Sequence, residues 1–104
     1  MKIQSFLQSL PGVKRDNITF SNHFEIRHAE RKDDLIPDID GICQILIADE
    51  PVAISKQDDE KFEVRFNLDE NYDLVLVVAV KGMNPEMMIN LITCYKKEIT
   101  RRMK

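Results

Sequence analysis

The sequence predicts an α+β domain in which N-terminal helices pack on a four-stranded, mainly antiparallel sheet. In the first half, apolar residues recur at helical spacing, as Ile3, Phe6, Leu7 and Leu10 and again as Ile39, Ile42, Cys43, Leu46 and Ile47. In the second half the period falls to two, with Val52 and Ile54 and then Phe62, Val64 and Phe66 separated by polar residues. Short connections between those strands favour a meander, and helices followed by strands give an α+β layer rather than a βαβ unit.

Each element has its own signal. The first helix occupies residues 1–12 and stops at Pro11-Gly12; it covers the core or packs on a partner. Asn17 to Phe20 is short and β-prone, a lead-in strand or extended segment. A helix follows over 22–32, capped by Ser21 or Asn22, and Asn22 with Glu25 three residues on has the form of a capping box. Pro37 suits the first turn of the next helix, which ends by Asp49 because Pro51 disfavours helical geometry at Glu50; Gly41 within it weakens the helix only slightly. Gln57 to Glu60 reads as a turn between two half-buried strands. Leu74 to Val80 is apolar throughout, as expected of a central strand covered on both faces or of a strand at an interface between copies. Residues 81–85 turn the chain into a last strand, Met87 to Tyr95, on which alternation gives Ile89, Leu91, Thr93 and Tyr95 a common face. The segment 97–104 reads as a basic C-terminal tail, and no internal repeat is present.

The 104 residues suffice for one core without staples. No apolar run approaches the roughly 20 residues of a membrane span, and the start lacks a signal-peptide profile, so a cytoplasmic protein is expected. Cys43 and Cys94 have no metal-ligand spacing and are expected to be reduced core residues. The net charge of −3 conceals an asymmetry: residues 1–32 carry +3, residues 33–73 carry −10 and residues 74–104 carry +4. Should the two ends meet in space, they would form the basic patch that a nucleic-acid site requires.

The densest group of chemically capable residues is Asn22 to Arg31. On a helix, His23, Arg27 and Arg31 follow at steps of four and form one polar stripe, while Phe24 points elsewhere and His28 lies near Phe24 as a packing residue. Histidine transfers protons near neutral pH, and arginine offers a charged fork matched to phosphate oxygens. Together they could hold and cleave a phosphodiester.

The pattern His23, Arg27, Glu30, Arg31 near the start, with Leu-Ile-Thr-Cys-Tyr at 91–95 near the end, resembles the small RelE-like domains of the barnase/EndoU/colicin/RelE nuclease superfamily, over residues 17–96. The resemblance implies a metal-independent endoribonuclease, the toxin of a toxin-antitoxin pair, acting on RNA and held in check by an inhibitory protein, with no cofactor. It implies His23 as the proton-transfer group, Arg27 and Arg31 as the phosphate clamp, and Thr93 facing them from the last strand. Tyr95, Lys56, Arg65, Arg101 and Arg102 are the further RNA-contact candidates.

Two other readings stand beside it. One is a catalytically silent domain of that fold acting as a protein-interaction module, its acidic middle bound by a basic partner. The other is an oligomeric structural protein, such as a homodimer, that pairs through the Leu74 to Val80 strand. Catalysis requires His23 and Thr93 to converge on one phosphate-sized gap, whereas a silent module leaves the arginines in internal pairs. There is no HExxH, paired CxxC, glycine-rich phosphate loop or GxSxG, so zinc-hydrolase, NTPase and serine-hydrolase chemistry has no motif behind it.

Overall fold

A computed structural model describes residues 1–31, 35–82 and 87–99. Three helices, α1 (Ile3–Ser9), α2 (Asn22–Arg31) and α3 (Ile39–Ala48), accompany one sheet of β1 (Ile18–Phe20), β2 (Ala53–Asp58), β3 (Lys61–Asn67), β4 (Tyr72–Gly82) and β5 (Met88–Glu98). The strand order is β1-β5-β4-β3-β2. The meander from β2 to β5 is antiparallel, as expected.

The expected four-stranded sheet has a fifth strand, because the lead-in segment Ile18–Phe20 pairs parallel with Ile89–Leu91. The sheet is therefore mixed, with β1 covering only three residues of the outer edge of β5. β4 is the middle strand, and Leu74, Val75, Leu76, Val78, Ala79 and Val80 are all buried. Its two edges are taken by β3 and β5, so the backbone groups of Leu74 to Val80 already serve the sheet.

The core lies on one face of the sheet. Phe62, Val64 and Phe66 of β3, Leu74, Leu76 and Val78 of β4, and Ile89, Leu91 and Cys94 of β5 meet Phe6, Phe24, Ile42 and Leu46 from the helices. Phe6 stacks on Phe62 with centroids 4.4 Å apart, which fixes α1 onto the sheet. Each such ring, fully buried, contributes roughly 1.5–3 kcal/mol. The first helix thus covers the core, and a 3-10 turn at Leu10–Gly12 ends it where proline and glycine were expected to.

Local chemistry sets the helix boundaries. Ser21, not Asn22, caps α2: its Oγ accepts from the Phe24 N–H at 2.9 Å, and Asn22 is already helical, so the Asn22–Glu25 box does not form. Pro37 precedes α3 rather than opening it. Asp38 is the N-cap, its carboxylate accepting from the Gly41 N–H at 2.8 Å. Gly41 sits so close to Pro37 that a Cβ there would lie 2.7 Å from the proline Cβ, which explains a glycine inside the helix. Buried His28 donates from Nε2 to the Pro37 carbonyl at 2.8 Å and lies parallel to Phe24, tying α2 to the lead-in of α3.

β5 runs to Glu98 and Ile99 is buried, so the strand enters the segment expected to be tail. A register break between Val77 and Val78 places Leu91 opposite Val78 and Thr93 opposite Val77, leaving Ile92 as an extra residue. The expected common face of Ile89, Leu91, Thr93 and Tyr95 is therefore split. Ile89 and Leu91 face the core, whereas Thr93 and Tyr95 stand on the opposite face with Val75, Val77, Glu63 and Arg65.

Candidate nucleic-acid interface

Beyond the three residues that β1 covers, the outer edge of β5 is met by side chains from α2 and its start. Ser21 Oγ donates to the Ile92 carbonyl at 3.4 Å, and Arg31 Nη1 donates to the Cys94 carbonyl at 2.9 Å. These bonds do for the edge what a neighbouring strand would do. The same Nη1 lies 3.4 Å from Thr93 Oγ1, and the guanidinium carbon is 5.8 Å from the centre of the Tyr95 ring. The last residue of α2 is thus held against the last strand by two hydrogen bonds and a cation–π contact.

From Tyr95 the polar contacts continue across the sheet. Its hydroxyl donates to Glu63 Oε1 at 3.5 Å, and Glu63 Oε2 is 3.8 Å from Arg65 Nη2. Burial and then the Glu63 carboxylate push the Tyr95 phenol above its ordinary range, so it keeps its proton at neutral pH. Arg65 pairs with Val75, which pairs with Tyr95, so the two side chains stand two strand spacings apart, roughly 10 Å. Beside Arg31 and Tyr95 an open hollow of about 500 Å³ is lined by Arg31, Ile36, Tyr95 and Lys96. Lys96 Nζ lies 4.6 Å from the centre of the Tyr72 ring. Arg31 and Lys96, from the first and last thirds of the chain, thus line one hollow.

The other expected site residues are placed elsewhere. His23 is exposed in the first turn of α2, eight residues before Arg31, a rise of about 12 Å along the axis. Arg27, between them, pairs with Glu30 at 3.9 Å on the helix surface. Lys56 is exposed on β2 and registers with Phe62, whereas Arg65 belongs to the opposite face. Arg101 and Arg102 lie outside the described residues. Of the proposed catalytic set, the structure brings together Arg31 and Thr93.

Sequence reading missed Glu63 and Ile36, and placed Lys96 only in a basic terminal arm. Glu63 had a signal: alternation of Phe62, Val64 and Phe66 sends Glu63 and Arg65 to the other face. Ile36 had none, since a loop residue carries no periodicity. Among the described residues no group of three His, Cys, Asp or Glu could hold a metal ion, and no helix is long and apolar enough to cross a membrane.

Residues 4–78 match the family model described as the MJ0788 family. The chain belongs to the MJ0788 family. A relative, Uncharacterized protein MJ0788 of Methanocaldococcus jannaschii, is 40% identical over 62 residues, which are 60% of this chain and 77% of that protein. No solved structure matches. The MJ0788 match includes α2, α3 and all but the first residue of α1, with Arg31, Glu63 and Arg65, and ends within β4, before Thr93, Tyr95 and Lys96.

Proposed function

We propose that the protein binds single-stranded RNA through the hollow at the outer edge of β5. One observation carries this reading: two cations, Arg31 and Lys96, line an open hollow together with an aromatic ring, Tyr95, and an aliphatic wall, Ile36. Single-stranded nucleic acid requires that combination, cations for the backbone and a flat apolar surface for an unpaired base. The Arg31 fork suits a phosphodiester, and its five N–H donors exceed the two acceptors, Thr93 and Cys94, that engage Nη1. Tyr95, kept neutral, offers its ring without repelling phosphate.

A second reading, the RelE-like metal-independent endoribonuclease of a toxin-antitoxin pair, is favoured by the Arg31–Thr93 contact between the helix and the last strand. It needs a proton-transfer group beside the phosphate site. With His23 a further 12 Å or so along α2, the carboxylate at hand is Glu63, at the Tyr95 hydroxyl.

The test is fluorescence anisotropy of a labelled mixed-sequence single-stranded RNA over a salt series. Each neutralised phosphate contributes about −0.7 to the slope of log K against log salt, so Lys96→Ala should flatten the slope by about that amount. Parallel incubation in EDTA separates the readings. Binding without 2′,3′-cyclic phosphate ends supports a binding domain, and cleavage that survives His23→Ala but not Glu63→Gln supports the nuclease. A folded protein that neither binds nor cuts the RNA sinks both.

A further inference from the structure

We infer that the groove between the N-terminal segment and the end of α3 docks a segment of a partner protein in which an aliphatic side chain stands beside lysine or arginine. The groove is open, of about 400 Å³, and its walls include Leu7, Pro11, Ile47 and Pro51, with Asp49 and Glu50 at the rim. Its size is that of clefts that take ligands or anchoring side chains. Leu7, Ile47 and Pro51 are half-buried and Pro11 is exposed, so aliphatic surface remains accessible after the core is filled.

The charge says what covers that surface. Asp49 and Glu50 are exposed, consecutive, and directly follow the last residue of α3, where unpaired carbonyls already concentrate partial negative charge. The last turn of α3 has no basic residue, and among the described residues no cation lines the groove. Two acids at the negative end of a helix oppose its stability, and the chain places them at the mouth of an apolar groove. A cation entering with an aliphatic neighbour satisfies both features, burying apolar area and offsetting part of the negative charge of the two carboxylates and the helix end. RNA fits poorly, since its phosphates would meet that negative rim, and a purely apolar ligand leaves the carboxylates unused. The groove joins Leu7, Leu10 and Pro11 of the N-terminal segment to residues 46–51 of the acidic middle, and among the described residues it shares no lining residue with the Arg31–Tyr95 hollow, so it stands independently of the RNA reading.

A phage-displayed random peptide library panned on the full chain tests this. Recovered peptides are resynthesised and titrated into wild type, an Asp49→Lys/Glu50→Lys variant and an Asp49→Asn/Glu50→Gln variant. Both positions are exposed, so the variants fold. The expected peptides carry leucine, isoleucine or phenylalanine next to lysine or arginine. They bind the charge-reversed protein about tenfold more weakly, the neutral variant in between, and wild type less tightly as salt rises. RNA binding by both variants stays at the wild-type level. The inference is overturned by peptides without cations, by equal binding to wild type and charge-reversed protein, by no enrichment, or by self-association that charge reversal abolishes, which would make the occupant a second copy.

Discussion

Replacing Tyr95 by leucine keeps an apolar side chain on β5 but removes the aromatic face. Two local interactions depend on the tyrosine. The hydroxyl bond to Glu63 is 3.5 Å long, at the outer limit of a hydrogen bond, so Tyr95→Phe should change stability by less than about 0.5 kcal/mol. The contact with Arg31, 5.8 Å from the ring centre, contributes about 0.5–1 kcal/mol at a partly exposed site. For RNA the ring matters more, because stacking of one base contributes roughly 1–3 kcal/mol, a factor of about 5 to 150 in affinity. The assay pairs RNA anisotropy with thermal unfolding of wild type, Tyr95→Phe and Tyr95→Leu. The phenylalanine variant should bind RNA like wild type and the leucine variant at least about fivefold more weakly, with both folded. A leucine variant that binds as tightly as wild type would refute the stacking role.

Other outcomes follow from the same geometry. Asp38→Ala removes the cap on the Gly41 N–H and should cost about 1 kcal/mol in denaturant unfolding. Asp49→Asn and Glu50→Gln relieve the repulsion at the end of α3, and each should stabilise by roughly 0.3–1 kcal/mol, read from the shift in unfolding midpoint. Burial pushes the Cys94 thiol up to about 11, opposed in part by Arg31. Because the folded pKa is raised, the associated stability is fully present below the unfolded thiol's pKa and is lost as pH rises toward that of the folded thiol. Wild type should therefore lose on the order of 2–3 kcal/mol more than Cys94→Ala between about pH 8 and pH 11. His23→Ala should leave RNA affinity unchanged, since His23 stands about 12 Å along α2 from Arg31.

Much of the fold was legible because its signals are local. The spacing of Ile39 to Ile47 and the alternation of Phe62 to Phe66 locate α3 and β3, and the apolar run Leu74 to Val80 marks the middle strand. What could not be read depends on contacts between distant segments. Ile18–Phe20 is a strand because β5 offers it an edge, a pairing that three residues cannot announce by themselves. The extra residue at Ile92 turns Thr93 and Tyr95 to the face opposite Leu91, and a bulge leaves no mark in an apolar alternation. The candidate site was half legible. The helical stripe correctly put Arg31 on α2, and the late Thr-Cys-Tyr did meet it, but a stripe two turns long cannot bring its first residue to a site at its last. His23 and Arg31 share a stripe and not a pocket.

The most direct measurement is an amide correlation spectrum of isotope-labelled protein titrated with single-stranded RNA. The account predicts shifts concentrated at Arg31, Ile36, Tyr95 and Lys96, with the amides of Asp49 and Glu50 unmoved. Shifts confined to other surfaces, or none at saturating RNA, would contradict it.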